Sequence, residues 1–250
     1  MTDNNPLIVK QPIFEVTLPQ SNEKITCRPW LVKEERILLS AKESGKIEDI
    51  SLAIQQTMRN CILDKDFDIK TLSVIDMDYV FLRTRAEAVG NTVKVSYICN
   101  NIPAGTDKEC GSEFDFVLDL SVMKPNKPLV EKFEEVPLTN ELVVKFRYPL
   151  FEKIRNIVSS DSSADQTTKK ILSVIDYIAP KSKKSEDVID PSTMSLEAFN
   201  TFLESLTTAQ FNVLENFIED LPEINLRAEA VCPGCGFKHE TEFNELSNFF

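Results

Sequence analysis

Four of the six cysteines in this 250-residue chain stand where they could do metal chemistry. Cys232 and Cys235 form the turn CPGCGF, while Cys99 ends SYIC and Cys110 opens CGSEFDF. A Cys-x-x-Cys turn offers two sulfurs on one side of a tight reversal, which is half of a four-coordinate zinc site. A glycine follows the second cysteine of each pair, Gly111 after Cys110 and Gly236 after Cys235. In such a knuckle the amides point at the sulfurs, and glycine supplies the positive φ this turn needs. Two knuckles brought together make a tetrahedral four-thiolate site with Zn–S near ~2.3 Å. Cys99, Cys110, Cys232 and Cys235 are therefore expected to hold one zinc ion. Four thiolates leave no coordination position for substrate or water, so the expected role is structural.

The first pair departs from the usual spacing. Ten residues, NNIPAGTDKE, separate its cysteines, and they are expected to bulge out as a loop while the sulfurs still meet. Two other readings of the cysteines stay open. They could be ordinary buried or loop cysteines, with CPGC a plain tight turn. They could also include a redox Cys-x-x-Cys, although no thioredoxin-like βαβ pattern surrounds it. His239 could replace one cysteine as a ligand or sit beside the site on a strand. Cys27 and Cys61 lie in an apolar strand and an apolar helix, where cysteine acts as a small core residue.

The elements around these residues follow from their patterns. FEVTLP and KITCRPW read as two short strands. LVKEERILLSAKES has helical spacing through Leu31, Ile37, Leu38 and Ala41, with Gly45 as its stop. EDISLAIQQTMRNCIL is a second helix, and DIKTLSVIDMDYVFLRTRAEA a third with Asp68 as its cap. NTVKVSYICN and SEFDFVLDL alternate apolar and polar residues and read as a strand pair that ends at Cys99 and begins after Cys110.

The second half has the same grammar. FEEVPLTNELVVKFRYPLFEKIRNI predicts strand, turn, strand and helix; further helices are expected at Thr167–Ile178, Leu196–Leu203 and Thr208–Leu221. INLRAEAVCPGCGFKHETEF again predicts strand, cysteine turn, strand. SSDSSADQTTKK and PKSKKSEDVIDPST are poor in apolar residues and read as loops. The expected fold class is α+β. Two similar halves, 1–128 and 129–250, each contain helices and short antiparallel strands, and a zinc-ribbon-like pair of β-hairpins joins them. The likeness of LRTRAEAV and LRAEAV favours an internal duplication over chance. At the chain end, the two aromatics of FNELSNFF suit docking onto this fold or into a partner.

Bulk properties narrow the function. A net charge of −12 with no basic run argues against a nucleic-acid surface, which needs clustered cations. No stretch reads as a signal peptide or a membrane span, so a reducing cytosol and no membrane partner are expected. The chain has one histidine and no GxGxxG, P-loop or GxSxG motif. No carboxylate pair stands out as catalytic, so neither enzyme activity nor a small-molecule substrate is expected.

The segment RPWLVKEERILLSAK, the NCI that ends the second helix, the run DIKTLSVIDMDYVFLRTRAEAVG and the following cysteine strand resemble the baseplate hub subunit family of T-even-like contractile-tailed bacteriophages. The resemblance spans Phe14 to Leu120 and covers the remainder more loosely. It implies a late structural or assembly protein of the viral tail, made in the host cytoplasm and belonging to the virion baseplate or to its assembly. It also implies protein partners: other baseplate hub components and the tape-measure protein. The alternative is a zinc-ribbon regulator that binds nucleic acid or polymerase. A third possibility is an enzyme using carboxylates or a Cys-x-x-Cys thiol.

Overall fold

The computed structural model describes residues 9–158, 163–182, 187–244 and 246–250. The fold is α+β: the described residues form helices and short antiparallel strands in four small sheets. Strands β1 (Phe14–Thr17) and β2 (Lys24–Cys27) pair with Phe14 opposite Cys27. Helix α1 (Val32–Ser44) follows, and Gly45 at φ 67° ends it in the left-handed conformation glycine tolerates. Its first turn is tied down by buried Glu34. That carboxylate accepts the Leu31 N–H at 2.9 Å and pairs with Arg28 at 2.9 Å.

Helix α2 (Ile47–Cys61) buries Ala53, Ile54, Met58 and Cys61, which fall at the helical spacing of the stripe Ile50, Ala53, Ile54, Met58, Cys61 and Ile62 that the sequence predicts. The next helix starts later than expected. Asp68 caps only a 3-10 turn, Ile69–Thr71, and the true cap of α3 (Val74–Val89) is Ser73, whose hydroxyl accepts the Asp76 N–H at 3.2 Å. Asp76 in turn accepts the backbone N–H groups of Gln20 (2.7 Å) and Ser21 (3.2 Å), which fastens the β1–β2 turn to α3.

Strands β3 (Thr92–Ile98) and β4 (Glu113–Asp119) form the first cysteine hairpin, with Ile98 opposite Glu113. In the second half, β5 (Glu135–Pro137), β6 (Leu142–Phe146) and β7 (Ile175–Pro180) make a three-stranded sheet in that order. Helices α4 (Phe151–Val158) and α5 (Ser163–Val174) run between β6 and β7. Helices α6 (Leu196–Glu204) and α7 (Thr208–Glu219) match their predicted spans closely. Strands β8 (Leu226–Val231) and β9 (Lys238–Phe243) form the last hairpin, with Ala230 opposite His239.

Two expectations fail around α5. The predicted helix to Ile178 stops at Val174, and Ile175–Pro180 is a strand on β6. The apolar spacing of Ile171, Val174 and Ile175 suits a helix, but the β-branched and aromatic run IDYI suits a strand and finds a partner there. The stretch read as a loop, SSDSSADQTTKK, is helical from Ser163 onward; residues 159–162 and 183–186 lie outside the described residues. On that helix Thr168 is buried and donates to Asn200 Oδ1 on α6 at 2.6 Å.

Among the described residues, two apolar clusters form the core. The second gathers Val144, Phe146, Ile171, Ile175, Phe199 and Leu214. The first is built from Trp30, Leu38, Met58, Phe81 and Phe116, and it also takes in Ile224, Leu226, Ala228, Phe243 and Phe249 from the chain end. The last hairpin therefore packs on the core of the first half. The terminal aromatics dock onto this fold: Phe249 is buried, and the Phe250 ring lies 5.8 Å from Phe81. Arg85 Nε donates to the Phe249 carbonyl at 3.0 Å. Cys27 and Cys61 are fully buried, and burial pushes both thiols up to about 12, as expected of core residues. Among the described residues, no helix is long and apolar enough to cross a membrane.

The seam between α3 and the chain entering β8 carries a titratable contact. Burial first, and then the charge of Glu223, push the Asp78 carboxyl up to about 8. An unfolded aspartate titrates near ~3.9. Folding therefore takes up a proton between these values, and stability is lost as pH rises from about 4 to about 8. Asp78→Asn is expected to abolish that loss. Partial solvent access limits the gain at about pH 9 to roughly 2–3 kcal/mol, with no gain near pH 4, as read by urea unfolding at both pH values.

Candidate metal centre

The two cysteine hairpins meet at their tips. The Sγ atoms of Cys99, Cys110, Cys232 and Cys235 all lie within 4.8 Å of one another, although the pairs are far apart in sequence. Cys99 faces Cys235 at 3.7 Å, and Cys110 faces Cys232 at 3.7 Å. A tetrahedral ion with Zn–S bonds of ~2.3 Å separates its sulfurs by ~3.8 Å, so these two edges have the required length. They are far longer than a disulfide bond of ~2.05 Å.

The same backbone pattern closes both turns. In the first, Cys99 N–H donates to Ser112 O (3.0 Å) and Gly111 N–H to Cys99 O (2.9 Å). In the second, Cys232 N–H donates to Phe237 O (2.9 Å) and Gly236 N–H to Cys232 O (2.9 Å). Gly111 and Gly236 occupy equivalent places with φ of 67° and 73°, the positive values that their position after a cysteine predicts. The long spacing of the first pair is absorbed where Cys110 N–H reaches back to Asn101 O at 2.8 Å. Residues 102–109 leave the hairpin there as a loop, and the sulfurs still converge.

Gly234 is glycine for a different reason. A Cβ on it would come within 2.0 Å of Ser112 Oγ and 3.1 Å of Cys110 Sγ, so the hairpins approach too closely for any side chain. Gly234→Ala should force them apart and destabilise the protein by about 1–3 kcal/mol, as overpacking does. Thermal melts of the variant beside wild type would read this, and an unchanged midpoint would contradict the close approach.

The electrostatics favour holding a cation. Burial works against ionising Cys232, but the N–H groups of Cys235 and Gly234 and the neighbouring thiols outweigh it and bring that thiol down to about 6. Hydrogen bonds from Ser112 also lower Cys110. Burial dominates at Cys99 and pushes it up to about 12, against the Asn101 N–H. Thiolates are soft ligands, and a four-sulfur tetrahedral set suits zinc or an iron–sulfur centre.

All four cysteines singled out by the sequence are thus brought together. His239 is buried in β9 with Nε2 3.2 Å from Cys99 Sγ. Two neighbours escaped sequence reading. Asn101 Nδ2 reaches Cys235 Sγ at 3.6 Å, and Ser112 Oγ lies 3.2 Å from Cys110 Sγ. Both are common loop residues, and only the meeting of the hairpins gives them a role.

Comparison with known proteins gives one match of nearly full length. A family model described as T4 bacteriophage base plate protein matches residues 11–250. No curated protein and no solved structure matches.

Proposed function

This chain belongs to the T4 bacteriophage base plate protein family, and from that membership we propose that it is a structural or assembly component of the baseplate hub. It acts through contacts with other hub proteins and with the tape-measure protein, first in the host cytoplasm and then at the tail baseplate. No chemistry of its own is assigned to it. The observation that carries the baseplate assignment is the family match across residues 11–250. The acidic balance, −12 over the whole chain, favours protein contacts over nucleic acid.

One zinc ion held by Cys99, Cys110, Cys232 and Cys235 stiffens this component. The convergence of four sulfurs within 4.8 Å supports the site, and the matching backbone closure of the two turns supports a zinc-ribbon-like pairing. The common order of strand pair, helices and cysteine hairpin supports two related halves, 1–128 and 129–250. The ion joins those halves, and the last hairpin adds apolar contact with the first core. A scaffold needs this stiffness, because a partner-facing surface that must order itself on binding loses affinity to that ordering.

Quantitative mass spectrometry of purified virions and of tail-assembly intermediates tests the assignment. The chain is expected in one or both, and to co-purify with baseplate hub proteins from infected cells. Its absence from both fractions would overturn the hub reading.

A further inference from the structure

A zinc ion with four thiolates carries two net negative charges, and a buried site must offset them with donors. The structure supplies a donor at every sulfur. Cys232 receives the N–H groups of Cys235 and Gly234. Cys110 has the Ser112 N–H and hydroxyl. Cys235 has Asn101 Nδ2 at 3.6 Å. Cys99, the most enclosed of the four, has the Asn101 N–H and His239 Nε2 at 3.2 Å.

The His239 ring has little freedom to leave that position. It is 6% exposed and packs against Tyr97, Phe114 and Phe237 at centroid distances of 5.5, 5.2 and 4.8 Å. Opposite a thiolate, which has no proton to give, the ring nitrogen must be the donor.

We infer that His239 is a positioning residue of the metal centre: its Nε2–H donates to the Cys99 thiolate and aims that sulfur at the ion, while Asn101 Nδ2–H holds Cys235 in the same way. This rests on the zinc reading and adds two residues to it. His239 stays outside the coordination sphere, so the ion keeps four sulfurs. Its aromatic neighbours hold the ring, and the ring holds the sulfur.

Cobalt(II) titration of metal-free full-length protein tests the inference, with affinity measured by chelator competition and ligation read from the visible spectrum. His239→Phe keeps the aromatic packing and removes the donor. Cobalt affinity is expected to fall about tenfold, the lower end for loss of an outer hydrogen-bond partner, with an unchanged four-thiolate spectrum. His239→Gln restores an N–H and should recover most of the loss. Asn101→Ala removes only a loop amide and should also weaken binding, which keeps the test open if His239→Phe fails to fold.

Affinities within about twofold of wild type for both His239→Phe and Asn101→Ala would overturn the inference and leave the four-sulfur site intact. A spectrum that loses a ligand on His239 substitution would overturn it by making His239 a ligand. Wild-type protein that binds no cobalt defeats the metal reading itself, and this inference with it.

Discussion

Removing the zinc ion proposed for the four-cysteine site is expected to lower the midpoint of thermal unfolding by more than about 10 °C. Structural zinc contributes ~10–16 kcal/mol to the folding of small zinc-finger peptides. This chain has apolar cores to fall back on, so a net loss of about 5 kcal/mol is the more conservative figure, and at about 2–4 °C per kcal/mol for a protein this size it gives about 10–20 °C. The loss should concentrate in β8, β9 and the terminal turn at Leu246–Phe249. Leu226, Phe243 and Phe249 hold those elements in the first core, and at the other end the proposed ion would hold them through Cys232 and Cys235.

Metal analysis should find one zinc per chain. Cys99→Ser and Cys232→Ser should lose it and melt like chelator-treated protein. Cys61→Ala should keep it, because that thiol is buried in the core beside Arg28 and is not one of the four clustered sulfurs. Protein made in zinc-supplied medium that carries no zinc, and whose melt a chelator leaves unchanged, would end this reading.

The parts of the site that could be read from sequence are those set by local backbone chemistry. The glycines after Cys110 and Cys235 announce two turns of the same hand, and the alternation in VKVSYIC and SEFDF announces the strands that carry them. The apolar stripe of α2 and the stop at Gly45 were legible for the same reason. What could not be read depends on encounters between distant segments. Gly234 looks like part of a plain turn until Ser112 arrives against it. Asn101 looks like a loop residue until Cys235 approaches its amide.

The errors around α5 have a related cause. Ile175 and Ile178, three residues apart, fit a helical stripe and break a regular strand alternation; β7 buries both because the ladder with β6 shifts register at Lys145/Phe146, an irregularity that no local pattern announces. Helix α3 illustrates competition between two good caps. Asp68 and Ser73 both suit an N-terminus, and each caps something: Asp68 the 3-10 turn, Ser73 the long helix. The chain turns between them because Val74 N–H is taken by Pro149 O at 2.9 Å and Phe151 N–H by Leu72 O at 3.0 Å, contacts with the second half that no local pattern contains.

Phe81→Ala should be among the most damaging single substitutions in the apolar core, and it should act independently of the metal. Phe81 is fully buried on α3 and meets Trp30 edge-on at 5.1 Å and Phe250 at 5.8 Å. Cutting a buried phenylalanine to alanine costs about 3–5 kcal/mol, from lost transfer energy and the cavity left behind. The edge-on pairs, each worth about 0.5–1.5 kcal/mol beyond area, place the cost toward the upper part of that range. The substitution also unseats the chain end. Without the Phe81 ring, Phe250 loses its edge-on partner, and residues 247–250 are left with buried Phe249, Arg85 at the Phe249 carbonyl (3.0 Å), and Lys42, which reaches the Ser247 carbonyl (2.8 Å), the Phe250 carbonyl and the Phe250 ring. The midpoint should drop by about 6–20 °C, with faster hydrogen exchange at residues 246–250. Zinc content should remain one per chain, because each knuckle is closed by its own backbone hydrogen bonds. A midpoint within about 3 °C of wild type would mean that the first core does not depend on this ring. Loss of zinc in the variant would mean that core and clasp are one cooperative unit.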